Sequence, residues 1–343
     1  GRDVSVNASF LRGSMIMSKL VTIFGGSGFV GRYITRRMAK AGWRVPVAVR
    51  RPNEALFVRT YGTVGQVEPI FCNIRDDASV AAALNGADAV VNCVGILIEA
   101  GKNTFDEVQS EGAERIARLA ALEGISTMVH MSAIGADPEA DSKYSHTKAL
   151  GEAGVAKHMP GAVILRPSII FGPEDQFFNR FAGMVRTSPV IPLVRANTLF
   201  QPVYVDDVAQ AAAQAVLQNA PGGVYELGGP EVASFRALIG RMLEVIHRRR
   251  LVLALPTFAG RVMAFGFDMM QAASFGLIKN SMLTRDQVDS LSRDNVVAKD
   301  ARGFSAFGIV PKSMASVLPG YLWRFRPSGQ YDDIKNSAKN LRT

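Results

Sequence analysis

The chain has 343 residues, 48% of them hydrophobic and 20% charged, and carries a formal net charge of +9. This is the composition of an ordinary globular protein with room for a nucleotide-binding domain and a smaller second domain. No apolar run reaches the roughly 18 residues of a membrane span, so we predict no transmembrane helix. The two cysteines, Cys72 and Cys93, stand without a Cys-x-x-Cys motif or a histidine cluster. They indicate a reducing compartment and exclude a disulfide framework, and we predict no metal site.

The excess of positive charge has three interpretations: solubility, an anionic membrane surface or an acidic partner. No helix-turn-helix, zinc-finger or RNP pattern accompanies it, so we expect no nucleic-acid partner. Residues 1–18 lack the apolar core of a secretory signal, and we interpret them as an N-terminal extension. Their Arg, Ser and Asn content weakly resembles a transit peptide; a disordered extension and a cloning remnant stay open as alternatives.

The first predicted element is a buried strand at residues 20–24 that stops abruptly at glycine. An amphipathic run follows, with apolar residues four apart from Val30 onward, which predicts a tight turn and then a helix. In that context Gly25 permits the turn, Gly28 leaves room for a pyrophosphate, and Gly31 lets helix and strand pack closely. The helix would offer free N–H groups and its positive dipole end to the phosphates. We therefore predict a dinucleotide site here, with a ligand-free glycine-rich turn as the alternative.

The second predicted strand, residues 43–49, ends in Arg50, Arg51 and Pro52. An NAD site usually carries Asp or Glu at this place to bind the ribose hydroxyls. Two guanidinium groups and no carboxylate favour a 2′-phosphate, and hence NADP(H). The alternative is a solvated basic strand end.

Strand and helix then alternate through residue 168 with short turns between them. The predicted strands are 67–72, 87–95, 127–132 and 162–168, and the predicted helices are 77–85, 105–122 and 142–157. Pro69 places the third strand at an edge. Because parallel strands need right-handed helical crossovers, we predict a Rossmann-type, doubly wound α/β sheet in the order 3-2-1-4-5-6.

After Gly172 the alternation breaks down. Short strands are predicted at 203–207 and 224–227, and helices at 207–218 and 234–247. We predict four regions: the extension 1–18, an NADP(H)-binding Rossmann domain 19–172, a smaller C-terminal α/β domain 173–326, and a polar tail 327–343. Whether the Rossmann domain also takes in parts of 200–230 stays open.

Tyr144 and Lys148 lie one helical turn apart, and Ser132 ends the preceding strand. An ammonium beside a phenol is expected to lower the phenol's pKa, which makes it a usable proton donor or acceptor. The serine hydroxyl would hold a substrate oxygen, and the lysine would also bond the nicotinamide ribose. The set fits hydride transfer to or from a carbonyl carbon, although a Tyr and a Lys four apart also occur by chance.

With these motifs, residues 18–235 resemble an extended or atypical short-chain dehydrogenase/reductase. The resemblance makes Tyr144 the acid/base, Lys148 its partner and Ser132 the carbonyl-binding hydroxyl. The sequence departs from the family at Asn73, where an Asp usually contacts adenine, and at 92–97, which is more apolar than usual. The residues that the resemblance and the motifs assign to NADPH binding are Gly25, Ser27, Gly28, Phe29, Val30, Gly31, Arg50, Arg51, Asn73, Ile74, Cys93, Val94, Gly95, Tyr144, Lys148, Pro167 and Ile169.

The C-terminal part of the sequence indicates a more specific family. Residues 283–291, 294–297, 307–311 and 321–326, taken with 92–97 and 166–175, are similar to the nucleotide-binding accessory subunit of respiratory complex I, subunit nine of the alpha subcomplex. The resemblance implies tightly held NADPH and a structural role, without turnover, where the peripheral and membrane arms join near the quinone site. It implies other complex I subunits as partners. It places the chain peripherally on the inner membrane, on the cytoplasmic side in a bacterium or the matrix side in a mitochondrion.

Two further hypotheses stay open. One is an independent NADPH-dependent reductase or epimerase for a small carbonyl or sugar-like substrate, which the intact Ser132, Tyr144 and Lys148 set favours. The other is a module that reports the NADP(H) ratio to a partner.

A basic cluster at residues 248–250 precedes an apolar segment, 251–278, in which Phe258, Val262, Phe265 and Met269 recur at helical spacing. Such a helix beside arginines is typical of contact with an anionic bilayer or a partner subunit. The alternative is that the segment forms the core of the smaller domain.

Overall fold

The computed structural model describes residues 17–96, 102–273 and 285–329, together with residues 331, 334, 335 and 338. Most of the predicted extension 1–18, and parts of the predicted segments 92–97, 251–278, 283–291 and 327–343, lie outside the described residues.

Seven parallel strands form the main sheet, in the spatial order third, second, first, fourth, fifth, sixth and a late seventh member. The predicted order 3-2-1-4-5-6 and the Rossmann-type fold class are therefore confirmed. Pro69 lies in the edge strand, where its missing N–H costs no ladder hydrogen bond. The seven strands are β1 Val21–Phe24, β2 Val45–Val49, β3 Val67–Phe71, β4 Ala89–Asn92, β5 Thr127–Met131, β6 Val163–Pro167 and β11 Gly223–Leu227.

Helices cover both faces of this sheet. The helices are α1 Phe29–Lys40, α2 Asp77–Leu84, α3 Gly112–Leu122, α4 Lys143–His158 and α6 Val205–Leu217, with a 3₁₀ helix at Pro52–Tyr61 and a π-helical turn at Asp106–Glu111. On β1, Val21 and Ile23 belong to the core under α1 and α6, while Phe24 belongs to the core under α2, α3 and α4. Because both faces are buried, the inner strands β1, β2 and β4 are apolar at most successive positions rather than at alternate ones.

Residues 203–207 were predicted as a strand, but the strand there is only two residues long. The helix α6 begins at Val205, and Asp206 and Asp207 occupy its first turn, where carboxylates favour the positive end of the helix dipole. The predicted strand 224–227 is β11 and pairs with β6 in the main sheet. After residue 200 the chain thus returns to the part of the molecule that contains the seven-stranded sheet and its helices, called the nucleotide half below. The domain boundary at 172 itself stays a prediction.

The C-terminal lobe is built from short strand pairs and a second core. Its strands are β7 Ile170–Phe171, β8 Val190–Val194, β9 Leu199–Phe200, β10 Val203–Tyr204, β12 Ala233–Ser234 and β13 Leu251–Leu255. Its helices are α5 Phe178–Met184, α7 Phe235–Val245, α8 Thr257–Ala273, α9 Arg285–Ser290, α10 Met314–Val317 and α11 Pro319–Leu322, with a 3₁₀ turn at Trp323–Phe325. A further 3₁₀ turn, Phe304–Phe307, packs into the core of the main sheet. None of the helices in the described ranges is long and apolar enough to cross a bilayer.

The C-terminal segments form hydrogen bonds with earlier parts of the chain. The Tyr321 hydroxyl donates to the buried Asp175 carboxylate, and the backbone N–H of Lys312 donates to Asp207 of α6 at 2.7 Å. The Ser168 hydroxyl donates to the Asn295 side-chain oxygen at 2.6 Å. Two of the segments that carried the family resemblance, 294–297 and 321–326, are therefore packed against the chain that follows β6 and β7.

Candidate functional site

The glycine-rich turn after β1 needs its glycines for different reasons. Gly25 has φ +73°, a left-handed conformation that L side chains rarely adopt. A Cβ at Gly31 would stand 2.1 Å from the Gly25 carbonyl oxygen, so any side chain there would separate α1 from the turn. Gly28 has ordinary extended backbone angles, so its lack of a Cβ matters for space at the ligand and not for conformation.

The N-terminus of α1 is open to an anion. No side chain among the residues that the structure describes caps it, and its first turn holds no acidic residue. The Arg32 guanidinium instead donates to the carbonyl oxygens of Ser27 and Gly28, at 3.0 and 3.1 Å. The Arg32 guanidinium thereby occupies these two carbonyl oxygens. The first N–H groups of α1, which have no partner inside the helix, stay available to an anion, as is usual in a phosphate site.

A cleft of about 370 Å³ lies at the carboxyl ends of β1, β2 and β4, where the strand order reverses. This reversal point is where open α/β sheets bind ligands. Of the residues predicted to bind the cofactor, those that line this cleft are Gly25, Ser27, Gly28, Arg50, Arg51, Asn73, Ile74, Cys93, Val94 and Gly95. An adjoining cleft of about 270 Å³ is lined by Phe29, Val30, Gly31 and Tyr144, and shares Gly28, Cys93 and Gly95 with the first. Most of the predicted cofactor-binding residues thus line one continuous groove.

The two predicted arginines differ in their surroundings. Arg51 pairs with the exposed Glu54 at 3.1 Å, whereas Arg50 has no ion pair within the described residues. A third guanidinium, on Arg75, also lines the cleft and was missed from the sequence. The backbone N–H of Arg75 donates to the Asn73 side-chain oxygen at 3.1 Å. The available signal in the sequence was an arginine in the turn after β3.

Tyr144 lines this groove, the Lys148 ammonium lies next to Gly95 of the lining, and Ser132 follows Met131, another lining residue. The Lys148 ammonium nitrogen stands 5.8 Å from the centre of the Tyr144 ring and 3.5 Å from the Met131 carbonyl oxygen. The Ser132 hydroxyl is buried and has no hydrogen-bond partner in the part of the chain that the structure describes. A buried hydroxyl without a partner costs free energy unless a ligand satisfies it.

The pKa of Tyr144 corrects our expectation. Burial, and then the negative charge of Asp286, raise it to about 12 rather than lowering it. Burial also lowers the pKa of Lys148 to about 8, although Glu152 and Cys93 oppose this shift. Lys148 stays mostly protonated at pH 7, but its charge does not offset the burial of the phenol, so the prediction that it lowers the phenol's pKa was wrong. The Tyr144 phenol is protonated at neutral pH and is able to donate, not accept, a proton.

Asp286, 142 residues further along the chain, fixes the start of α4. Its carboxylate accepts the Lys143 and Tyr144 N–H groups at 2.6 and 3.3 Å and the Ser142 hydroxyl at 3.1 Å. A carboxylate at a helix N-terminus satisfies donors that have no partner inside the helix. The C-terminal region thus holds the residue on which the predicted chemistry depends.

The loop after β4 is held by a buried pair. The Asn92 amide donates to His130 Nδ1 at 3.2 Å, and its oxygen accepts the Val94 N–H at 3.1 Å. The proton of the neutral imidazole therefore lies on Nε2. Burial, with the charge of Lys148, lowers the pKa of His130 to about 3, so this support of the cleft is uncharged.

Of the predicted cofactor-binding residues, Lys148, Pro167 and Ile169 line neither cleft. Pro167 is the buried last residue of β6 and lines neither cleft. Ile169 lines a separate apolar pocket of about 320 Å³, which Tyr144 joins to the cleft. The described residues contain no cluster of three His, Cys, Asp or Glu side chains that could hold a metal ion, and both cysteines are free thiols.

The fold and the groove define the class of protein to which this chain belongs. Residues 21–228 match the NAD dependent epimerase/dehydratase family, and the chain belongs to that family. UDP-glucose 4-epimerase from Thermus thermophilus, solved in complex with NAD, shares the fold with a TM-score of 0.64, 20% identity and coverage of 90% of this chain and 99% of that one.

Within that class, a narrower family covers both halves of the chain. NADH dehydrogenase [ubiquinone] 1 alpha subcomplex subunit 9, mitochondrial, of Arabidopsis thaliana is 31% identical over 322 residues, 92% of this chain and 80% of the relative. The NADH-ubiquinone oxidoreductase 40 kDa subunit, mitochondrial, of Neurospora crassa is 28% identical over 312 residues, 91% of this chain and 80% of the relative. The chain belongs to this subunit 9 family.

Proposed function

We propose that the chain is a dinucleotide-holding accessory subunit of respiratory complex I, the proton-pumping NADH:ubiquinone oxidoreductase, and that it does not turn over by itself. The similarity to subunit 9 proteins over 92% of the chain carries this proposal. That similarity extends past the epimerase-like residues 21–228 into the segment that contacts α4 through Asp286.

The proposed cofactor is NADPH. The open N-terminus of α1 suits the pyrophosphate, Arg50 and Arg51 at the end of β2 suit a 2′-phosphate, and the Ser132 hydroxyl and Lys148 lie where polar groups of the nicotinamide half would satisfy them. NADPH carries a hydride at its nicotinamide, and Tyr144 would supply the proton in a carbonyl reduction. We propose that this capacity is vestigial.

The proposed position is the junction of the peripheral and membrane arms near the quinone site, against other subunits and an anionic membrane surface. One face of α8 supports it: Phe258, Val262 and Met269 are 71%, 66% and 56% exposed. Exposed apolar side chains in this number mark an interaction surface, and the arginines at 248–250 supply positive charge beside it. The chain would be peripheral on the inner membrane, on the matrix side in a mitochondrion or the cytoplasmic side in a bacterium.

Native-gel electrophoresis of mildly solubilised respiratory membranes tests membership of the complex. We expect the chain to migrate with the NADH:ubiquinone oxidoreductase, and Tyr144→Phe to leave electron transfer to quinone nearly unchanged. Gly28→Val, which fills the ligand side of the turn, should loosen the assembly. A chain found only as a free soluble species would exclude the proposal.

A second candidate is an independent NADPH-dependent reductase or epimerase. The intact set of Ser132, Tyr144 and Lys148 favours it, because a protein that only holds a dinucleotide has no need of a carbonyl-binding hydroxyl near a proton donor. It predicts turnover of a carbonyl or sugar-like substrate that Tyr144→Phe abolishes.

A further inference from the structure

The apolar pocket beside Tyr144 is distinct from the two clefts proposed to hold the dinucleotide. Its wall contains four phenylalanines that pack edge-on or tilted against each other, with ring centres 5.4 to 6.3 Å apart. They are Phe177, Phe181, Phe200 and Phe235. Interlocked aromatic rings form a fixed surface rather than one that collapses into the space. The cavity of about 320 Å³ is of the size that small ligands occupy.

One charge in this pocket is not neutralised. Arg180, on α5, lines the cavity, and none of the described residues forms a hydrogen bond or an ion pair with its guanidinium. Burial alone acts on its pKa, which it lowers. The acidic group nearest in the wall, Asp286, has its oxygens occupied by the N–H groups of Lys143 and Tyr144 and by the Ser142 hydroxyl. A half-buried arginine without a partner favours an anion from outside the chain.

The pocket also lies under the exposed apolar helix. Met263 and Phe267 on one face of α8 line the cavity, while Val262 and Met269 on another are 66% and 56% exposed. A molecule with a hydrocarbon chain would therefore have apolar contacts both inside the pocket and at its outer wall. A nucleotide-sugar, which needs many polar partners, finds few among these residues.

We propose that this pocket binds a long-chain amphiphile whose hydrocarbon chain lies against the phenylalanine wall and whose acidic head, a carboxylate or a phosphate, pairs with Arg180. The site is independent of membership in complex I and of the cofactor's identity.

Displacement of the fluorescent fatty acid cis-parinaric acid from the purified full chain tests the proposal. We expect dodecanoate or dodecyl phosphate to displace it saturably, and the tighter of the two identifies the head as a carboxylate or a phosphate. Dodecyltrimethylammonium, with the same chain and a positive head, should displace it at least about tenfold less well. Equal potency of anionic and cationic amphiphiles, or no saturable displacement, would overturn the proposal.

Two pairs of variants locate the site. Arg180→Met should weaken dodecanoate binding about tenfold, while Arg186→Met, which removes the same charge from an exposed position just past α5, should not. Met263→Trp should fill the cavity and block binding, while Met269→Trp on the exposed face of the same helix should leave it intact. Thermal melts followed by circular dichroism identify any variant that fails to fold. The Arg180 pair decides the matter by itself: equal effects of Arg180→Met and Arg186→Met would contradict the proposal.

Discussion

The two halves of this molecule are organised by different kinds of interaction. In the nucleotide half, each of the seven strands pairs through the backbone with a neighbour, and the cleft follows from where the strands end. In the C-terminal lobe the strands pair only in twos, and side chains such as Asp286 and Tyr321 hold distant segments together. The first half is therefore specified by short local patterns, and the second by contacts between residues far apart in the chain.

The largest loss of stability in the nucleotide half is expected when α1 is separated from the glycine-rich turn. Gly31→Ala places a Cβ 2.1 Å from the Gly25 carbonyl oxygen, and we expect it to lower the free energy of unfolding by about 3 kcal/mol. Gly240→Ala, in α7 of the lobe, meets nothing within 4 Å and should raise that free energy by about 0.5 kcal/mol. Urea denaturation measures both, and similar effects of the two substitutions would refute the close packing at Gly31.

The buried His130 gives the nucleotide half a pH-dependent stability. The unfolded imidazole takes a proton near pH 6.5 and the folded one only near pH 3, so the unfolded state binds more protons between these values. Its contribution to stability is complete above pH 6.5 and is lost as the pH falls, by about 2.5 kcal/mol between pH 7 and pH 4.5.

His130→Gln, which keeps an acceptor for Asn92 but does not titrate, should flatten that dependence. His247→Asn is the control, because His247 is exposed in the lobe and has φ +55°, which Asn tolerates. Unfolding free energies measured across this pH range should separate the two variants. If His130→Gln loses stability with acid as steeply as the parent chain, another group is responsible.

The substitution Asp286→Asn tests the contact between the two halves. The amide keeps the size of the side chain but removes the charge that caps α4, so we expect the free energy of unfolding to fall by about 2 kcal/mol. The pKa of Tyr144 should fall as well, because Asp286 is one of the two causes that raise it. Asp289→Asn on the same helix breaks only an exposed pair with Arg261 and should cost less than about 1 kcal/mol. An unchanged Tyr144 titration in Asp286→Asn would contradict this coupling.

The smallest of these effects concerns which dinucleotide binds. Arg50→Ser should weaken NADPH about tenfold, a loss of about 1.4 kcal/mol, and leave NADH unchanged. Arg186→Ser, a charge loss in the lobe, should change neither. Fluorescence titration with both nucleotides gives the ratio, and a parallel loss of NADH affinity would show that Arg50 does not contact the 2′-phosphate.

Prediction from sequence succeeded where the signal is local. The strand, glycine turn and helix at residues 21–40 and Pro69 at the sheet edge were correctly predicted, because each depends on neighbours in the chain. The role of the basic end of β2 stays a prediction. The raised pKa of Tyr144 was not predicted, since its cause besides burial is Asp286, 142 residues away. Ile169 lines the apolar pocket, because β6 ends at Pro167 and the chain then turns into the lobe; its contact with the cofactor stays a prediction.

The same limit applies to the helix α8, which lies within the apolar segment predicted at 251–278. Its spacing predicted an amphipathic helix, and α8 is one, but only the structure shows which face is exposed and that the other lines a cavity. Periodicity locates an apolar face without identifying what covers it.

The central claim is that the chain holds NADPH as part of the respiratory assembly. The most direct test is to isolate the native NADH:ubiquinone oxidoreductase from mildly solubilised membranes, confirm the chain by peptide mass spectrometry, and identify the nucleotide released from it on denaturation. We predict NADPH, in about equal amount to the chain and absent from assemblies carrying Gly28→Val. A chain that is present in the complex without bound nucleotide, or that releases only NADH, would contradict the account.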